Sequence, residues 1–310
     1  MLTFPALFSR RRGGVDPQPV TWTQRTSSFD TTNIQGLFYG SDSYWVTTGD
    51  SNKIATATDP TSTWTQRTSN ITTGTVFQPM YSGSHWVICA VDGQFSTATD
   101  PTSTWTLHSD IGFGTDDIFT VYWDGTYWVL AGGAGKLYTA TNPTSTWTAE
   151  STNFGADSIY RAQFNNSLWV IGGGAGFMDT ATDPTGTWTA RTSSFGTDSI
   201  YDMGYDGTNW VVVGSAGKIA YSSDPTSGFT QVTSPPFGSD AVYGVAYGGG
   251  AWVVVGVGGK LATALPSDLE TWTLQTSSFG STDIRRVRYG NGYFVAVGAS
   301  GKLATAVPGV

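Results

Sequence analysis

The chain has 310 residues, a formal net charge of −8 and only 12% charged residues, with 40 glycines and 14% aromatics. This acidic balance speaks against nucleic acid as a partner, because phosphate binding needs clustered Lys and Arg. The lone Cys89 excludes an intramolecular disulfide, and no apolar run approaches the roughly 18 residues that span a bilayer. Thr, Val, Tyr and Trp suit pleated strands and Gly suits tight turns, so the composition predicts an all-β fold with almost no helix.

Residues 1–20 come first. Leu2, Phe4, Leu7 and Phe8 make an apolar stretch that Arg10, Arg11 and Arg12 follow. A secretory signal has the reverse order, with charge first and a small-residue cleavage site last. The segment is therefore expected to be an uncleaved tail that docks on another chain through these seven residues, ahead of a propeller at 21–310.

From residue 21 onward the sequence repeats. Thr-Trp-Thr recurs with its Trp at 22, 64, 105, 147, 188 and 272, and Phe229 stands in for the missing one; the spacings are 42, 41, 42, 41, 41 and 43. A period of roughly 40–45 residues with four short strands marks a propeller blade. The unit at 198–233 reads as an innermost strand at Asp198–Tyr205, a turn at Asp206-Gly207 and a second, apolar strand at Asn209–Gly214. A third strand at Lys218–Ser222, a turn at Asp224-Pro225-Thr226 and an outermost strand through Phe229 complete it. Cys89 lies in the corresponding apolar second strand, as a buried thiol.

Innermost strands counted from Ile34 to Ile284 number seven. The first Thr-Trp-Thr has no strands of its own before it, and the last unit, 283–306, has none after it. Residues 21–26 are thus predicted to complete the last blade. The expected fold is an all-β, seven-bladed β-propeller of four-stranded blades, closed by pairing the N-terminal strand with the last blade, which removes an open sheet edge.

The turn before each outermost strand carries Asp59, Asp100, Asp183 or Asp224, with Asn142 in the remaining unit, five residues ahead of Trp64, Trp105, Trp188, Phe229 and Trp147. This resembles the Asp-box, or BNR, pattern S-x-D-x-G-x-x-W, with Thr in place of its Gly. The resemblance implies a structural turn, Asp accepting backbone N–H bonds and Trp buried between blades. That family includes sialidases, whose sites resemble three arginines on a carboxylate with a Tyr–Glu nucleophile. Here Arg25, Arg67 and Arg191 sit at the periphery, and Glu150 and Glu270 lie beside outermost strands, so that chemistry is not expected.

Other chemistry is equally bare. His85 and His108 have no metal-ligand spacing, and the innermost strands hold one mid-strand acid, Asp202, where glycoside hydrolysis needs two. No metal and no cofactor are expected. Asp116, Asp157, Asp198, Asp240 and Asp283 recur before innermost strands, and Lys53, Lys136, Lys218, Lys260 and Lys302 open third strands. Capping and rim ion pairs account for both series; a cation-binding Asp ring is the sharper alternative.

Binding is better sought where the repeat breaks. One innermost-strand column runs Gly36, Gln78, Thr120, Arg161, Asp202, Gly244, Arg286, next to an aromatic column of Phe77, Phe119, Tyr160, Tyr201 and Tyr243. The candidate ligand residues are Tyr160, Arg161, Tyr201, Asp202, Tyr243 and Arg286, set to grip a sugar or peptide; otherwise the polar column meets channel water.

A short tail, near-identical Thr/Ser/Gly/aromatic repeats, no processing signal and no catalytic set resemble bacteriophage structural proteins in style. The expected function is a non-catalytic tail or head appendage in the virion, bound to other virion proteins through residues 1–20 and displaying the propeller to host-surface glycan or a neighbouring subunit. The alternatives are a cytoplasmic or cell-surface propeller that binds glycan or protein, similar to Asp-box lectins or photosystem assembly propellers, and a degenerate glycosidase.

Overall fold

Each repeat places an apolar run between two half-polar ones, and this becomes a sheet whose second strand is covered on both faces. The computed structural model describes residues 21–308 apart from Thr73; the docking residues expected at Leu2, Phe4, Leu7, Phe8, Arg10, Arg11 and Arg12 lie outside them. The described residues form seven four-stranded antiparallel sheets. The innermost strands are Ile34–Tyr39, Val76–Tyr81, Ile118–Trp123, Ile159–Asn165, Ile200–Tyr205, Val242–Gly248 and Ile284–Gly290, defining blades 1 to 7. Among these residues helix is confined to five three-residue turns, and no helix is long and apolar enough to cross a membrane.

Four of the second strands, among them Trp86–Ala90 and Trp210–Gly214, are buried throughout, and the other three are buried from their second residue on. Cys89 lies in Trp86–Ala90, and burial pushes its thiol up to about 12. The core is divided into seven apolar clusters, each shared by two neighbouring blades. Between blades 4 and 5, for example, Val170 and Met178 meet Phe195, Ile200, Met203 and Trp210. The last cluster joins Phe29, Ile34 and Trp45 of blade 1 to Val295, Val297 and Leu303 of blade 7, so the ring closes with the same packing it uses elsewhere.

Closure follows the predicted route. Thr23, Gln24 and Arg25 pair antiparallel with Thr305, Ala304 and Leu303. Trp22 is buried against Phe294, and Ser27 Oγ donates to the Gly301 carbonyl. Gly301 has φ +62°, and a Cβ there would lie 2.2 Å from the Asp30 carbonyl oxygen, so this seam requires glycine twice over.

The outer turns repeat one hydrogen-bond plan. Asp59 Oδ1 accepts from Thr61 N at 2.8 Å, and Asp100, Asn142, Asp183 and Asp224 do the same for Thr102, Thr144, Thr185 and Thr226. Hydrogen bonds lower both the Asp59 and the Asp224 carboxyls, chiefly from the Thr61 N–H at Asp59 and from the Ser227 hydroxyl at Asp224. Trp64, Trp105, Trp147 and Trp188 are buried, and each indole N–H donates to the carbonyl of the Pro four residues earlier. Phe229 is also buried, but the outermost strand begins after it, at Thr230–Gln231, instead of running through it. The aromatic has to point inward before the chain turns flat along the blade edge.

Arg25, Arg67 and Arg191 remain peripheral, each donating from Nε to a third-strand Thr: Thr305, Thr56 and Thr180. The recurrent lysines make rim ion pairs, Lys53–Asp30, Lys136–Asp116, Lys218–Asp198 and Lys260–Asp240, at 2.7–3.0 Å. All five, Lys302 included, donate to the carbonyl of a buried Phe, for example Lys218 to Phe195 and Lys302 to Phe279. Among the described residues no three His, Cys, Asp or Glu side chains converge as metal ligands.

Candidate functional site at the channel mouth

The site originates in a backbone irregularity common to all seven blades. In blade 3, Ile118 pairs with Gly132 and Thr120 with Ala131, leaving Phe119 as an extra, bulged residue. The same shift falls between Ile34 and Gly36, Val76 and Gln78, Ile159 and Arg161, Ile200 and Asp202, Val242 and Gly244, and Ile284 and Arg286. A bulge re-aims the side chain it releases. Here it turns one residue per blade into the mouth of the channel: Gln35, Phe77, Phe119, Tyr160, Tyr201, Tyr243 and Arg285.

Five of these are aromatic and form a continuous arc. Centroid distances are 5.0 Å for Phe77–Phe119, 5.3 Å for Phe119–Tyr160, 5.9 Å for Tyr160–Tyr201 and 5.7 Å for Tyr201–Tyr243, with interplanar angles of 46–62°. Tilted and edge-on contacts of this kind suit the ring quadrupoles. Blades 7 and 1 complete the circle, with Arg285 Nη1 donating to Gln35 Oε1 at 3.2 Å and Gln35 donating to Asp50. Together with Arg286 the ring encloses a cup of about 160 Å³. Burial raises the pKa of Tyr201 and Tyr243, so their hydroxyls stay protonated and able to donate.

The floor of the cup is a network of buried polar side chains. Asp202 is fully buried and pairs with Arg161 Nε at 2.8 Å and Arg288 Nη1 at 2.9 Å. Arg161 also reaches across the axis to Gln78 Oε1, which accepts from Thr120 Oγ1 at 3.0 Å, while Gln78 Nε2 donates to the Val121 carbonyl. Met203 N and Val245 N donate to the two Asp202 oxygens. At Gly36 a Cβ would fall 1.8 Å from the Phe77 carbonyl, which there accepts from Thr48 Oγ1. Desolvation alone would raise the Asp202 carboxyl, but Arg161, Arg288 and Arg286 outweigh it and hold the group at about 2. Burial lowers Arg161 to about 9, which leaves it charged at neutral pH.

The six sequence candidates thus separate by depth. Tyr160, Tyr201, Tyr243 and Arg286 line the cup, whereas Arg161 and Asp202 lie beneath it, bonded to each other. Beyond the floor, Arg161 and Arg288 help line a second cavity of about 180 Å³ at the opposite mouth, with Tyr122, Met203 and Tyr247. The candidate set lacked Gln35, Phe77, Phe119 and Arg285 of the cup, and Gln78, Thr120 and Arg288 of the floor. Gln35 and Arg285 occupy the aromatic column in blades 1 and 7, so reading that column through all seven blades would have found them.

No protein-family model and no curated protein matches the sequence. Solved structures do. A structure of YCF48 bound to D1 peptide is 17% identical, covering 95% of this chain and 97% of that one, with a TM-score of 0.73. The RRP9 WD40 repeats are 11% identical, with 94% and 100% covered and a TM-score of 0.71. A catalytically inactive virginiamycin B lyase from Staphylococcus aureus, with quinupristin, is 7% identical, with 93% and 99% covered and a TM-score of 0.80. At these identities the likeness establishes the seven-bladed propeller and nothing finer.

Proposed function

We propose that this protein is a non-catalytic binding propeller that seats a terminal group of its partner in the aromatic cup. The observation that carries the reading is the sevenfold bulge, which delivers one side chain per blade to a single cavity and makes five of them aromatic. Chemistry is disfavoured by the state of Asp202. As the one acid on the innermost strands it is held ionised under three guanidiniums and has no second carboxylate to work with. A propeller of similar architecture with a bound peptide supports the use of this fold for recognition.

The test is binding of the full chain to glycan and peptide arrays, alongside Tyr201→Ala and Phe119→Ala. Loss of the bound class in both variants is expected. Binding that survives both would place the site elsewhere, and turnover of a chromogenic glycoside would end the non-catalytic reading.

We further propose, from the sequence features, that the propeller is displayed on a bacteriophage particle by residues 1–20, for host-surface or subunit binding. The Asp-box likeness of the turns at Asp59, Asp100, Asp183 and Asp224 belongs to this reading as a structural motif. Sedimentation of the native protein should find it in megadalton particles. Recovery of the free 32.9 kDa chain would return it to the cell as a soluble or surface-bound binder.

A further inference from the structure

Four arginines, Arg161, Arg285, Arg286 and Arg288, stand on the innermost strands of a chain whose net charge is −8. They are not equivalent. Arg161 and Arg288 share Asp202, whereas among the described residues neither Arg285 nor Arg286 forms a salt bridge. Arg286 gives Nη1 to two backbone carbonyls, those of Tyr243 and Arg285. Arg285 gives Nη1 to Gln35, and its Nε is buried without a partner. Both side chains wall the cup, and no carboxylate lines it. Arg286 acts on the Asp202 carboxylate without touching it, and Arg285 keeps an unused buried donor, so each retains capacity that bidentate acceptance by a carboxylate would satisfy.

We propose that the cup recognises the terminal hexuronic acid of a glycan, its carboxylate received by Arg285 and Arg286 and its ring held by the aromatic arc; this rests on the cup being the binding site. Three features select the occupant. The cup is ringed by one bulged residue from each blade and floored by the Arg161–Asp202–Arg288 network, so it takes the end of a chain and not an extended strand. Its volume of about 160 Å³ fits one unit, well below the roughly 300–1,000 Å³ of ordinary ligand pockets. Six of the eight lining residues, all but Phe77 and Phe119, carry a hydroxyl, amide or guanidinium, which suits a hydroxylated body better than an apolar side chain. Hydroxyl donors come from blades 4 to 6, the apolar surface from blades 2 and 3, and the charge from blade 7.

The test compares methyl glucuronide with methyl glucoside on the full chain by ligand-observed NMR. The acid should bind about tenfold or more tighter, with an advantage that shrinks as salt rises. Arg285→Gln, which removes only the contact to Gln35, should erase that advantage while leaving weak binding of the neutral glycoside; Arg286→Gln should do the same if its melt is unchanged. Equal affinity for both sugars, reduced by Tyr201→Ala, would keep the cup and overturn the carboxylate. Sugar binding indifferent to Tyr201→Ala and Phe119→Ala would overturn the cup itself. Binding of a peptide with a free carboxyl terminus in an Arg285-dependent way, with no binding of the glucuronide, would overturn the sugar.

Discussion

At the seam between blades 4 and 5, Ile200, Met203 and Trp210 meet Val170 and Phe195, and each of the other seams follows the same plan with small substitutions. At the channel axis, a few ångströms further in, neighbouring blades present Gly36, Gln78, Thr120, Arg161, Asp202, Gly244 and Arg286, and no two in sequence agree. Both regions are built from the same strands. The seams are repetitive because every blade must bury the same apolar face against the next. The axis meets no such demand, because each side chain there faces the other six blades at once. Regularity therefore marks what holds the ring, and irregularity marks what the ring presents.

The largest effects should come from the seams. Deleting residues 21–26 removes Trp22 from its cluster and the whole outermost strand of blade 7. The loss should exceed the about 3–5 kcal/mol expected of a single buried-Trp truncation such as Trp210→Ala. Chemical denaturation measures both; a deletion that unfolds like the parent would mean that the seventh blade is closed in some other way.

The axis should respond next, and through charge. Asp202→Asn leaves Arg161 and Arg288 without their counter-ion and should cost about 3 kcal/mol or more. The same group predicts an acid limb. Its carboxyl titrates at about 2 in the fold against an ordinary 3.8, so the folded state releases the proton more readily. The resulting stability, roughly 2 kcal/mol, is complete above about pH 4 and is lost as pH falls towards 2. Stability measured over that range should show the limb in the parent and a shallower one in Asp202→Asn.

The cup should separate stability from function. Phe119→Ala removes a partly exposed ring, so a stability cost of about 1 kcal/mol is expected, together with loss of binding on the arrays. The smallest effect lies at the rim of blade 4. There Phe177 replaces the recurrent lysine, is 41% exposed, and meets the Phe154 ring in a tilted contact at 5.8 Å. Phe177→Lys restores the repeat and offers Asp157 a partner, yet an exposed pair of this kind should shift stability by only about 0.5 kcal/mol. A larger gain would show that the rim ion pairs carry more of the ring than their exposure suggests.

Much of the fold was legible in the sequence. The Trp spacing gave the blade count, and the incomplete units at 21–26 and 283–306 gave the closure later seen between Thr23 and Thr305. The site was legible in composition but not in depth. Tyr201 and Asp202 are adjacent, and simple alternation would place them on opposite faces of one strand. The bulge at every innermost strand instead sends Tyr201 to the mouth and Asp202 to the floor. Nothing in the local residue types marks that bulge, because it arises where the inner strand of each blade must bend beside its neighbours.

The period, the number of blades, the buried Trp64, Trp105, Trp147 and Trp188 and the way the ring closes could all be read from the chain, because these follow from residues that repeat and act within one unit or between adjacent ones. The tertiary structure alone decided which side chains meet across the axis. Arg161 reaches Gln78 over a separation of 83 residues, and Arg288 reaches Asp202 over 86. Such partners are set by the angle at which each blade faces the channel, and no local pattern encodes that angle. The same geometry left Arg285 and Arg286 at the mouth, in a cup that no carboxylate lines.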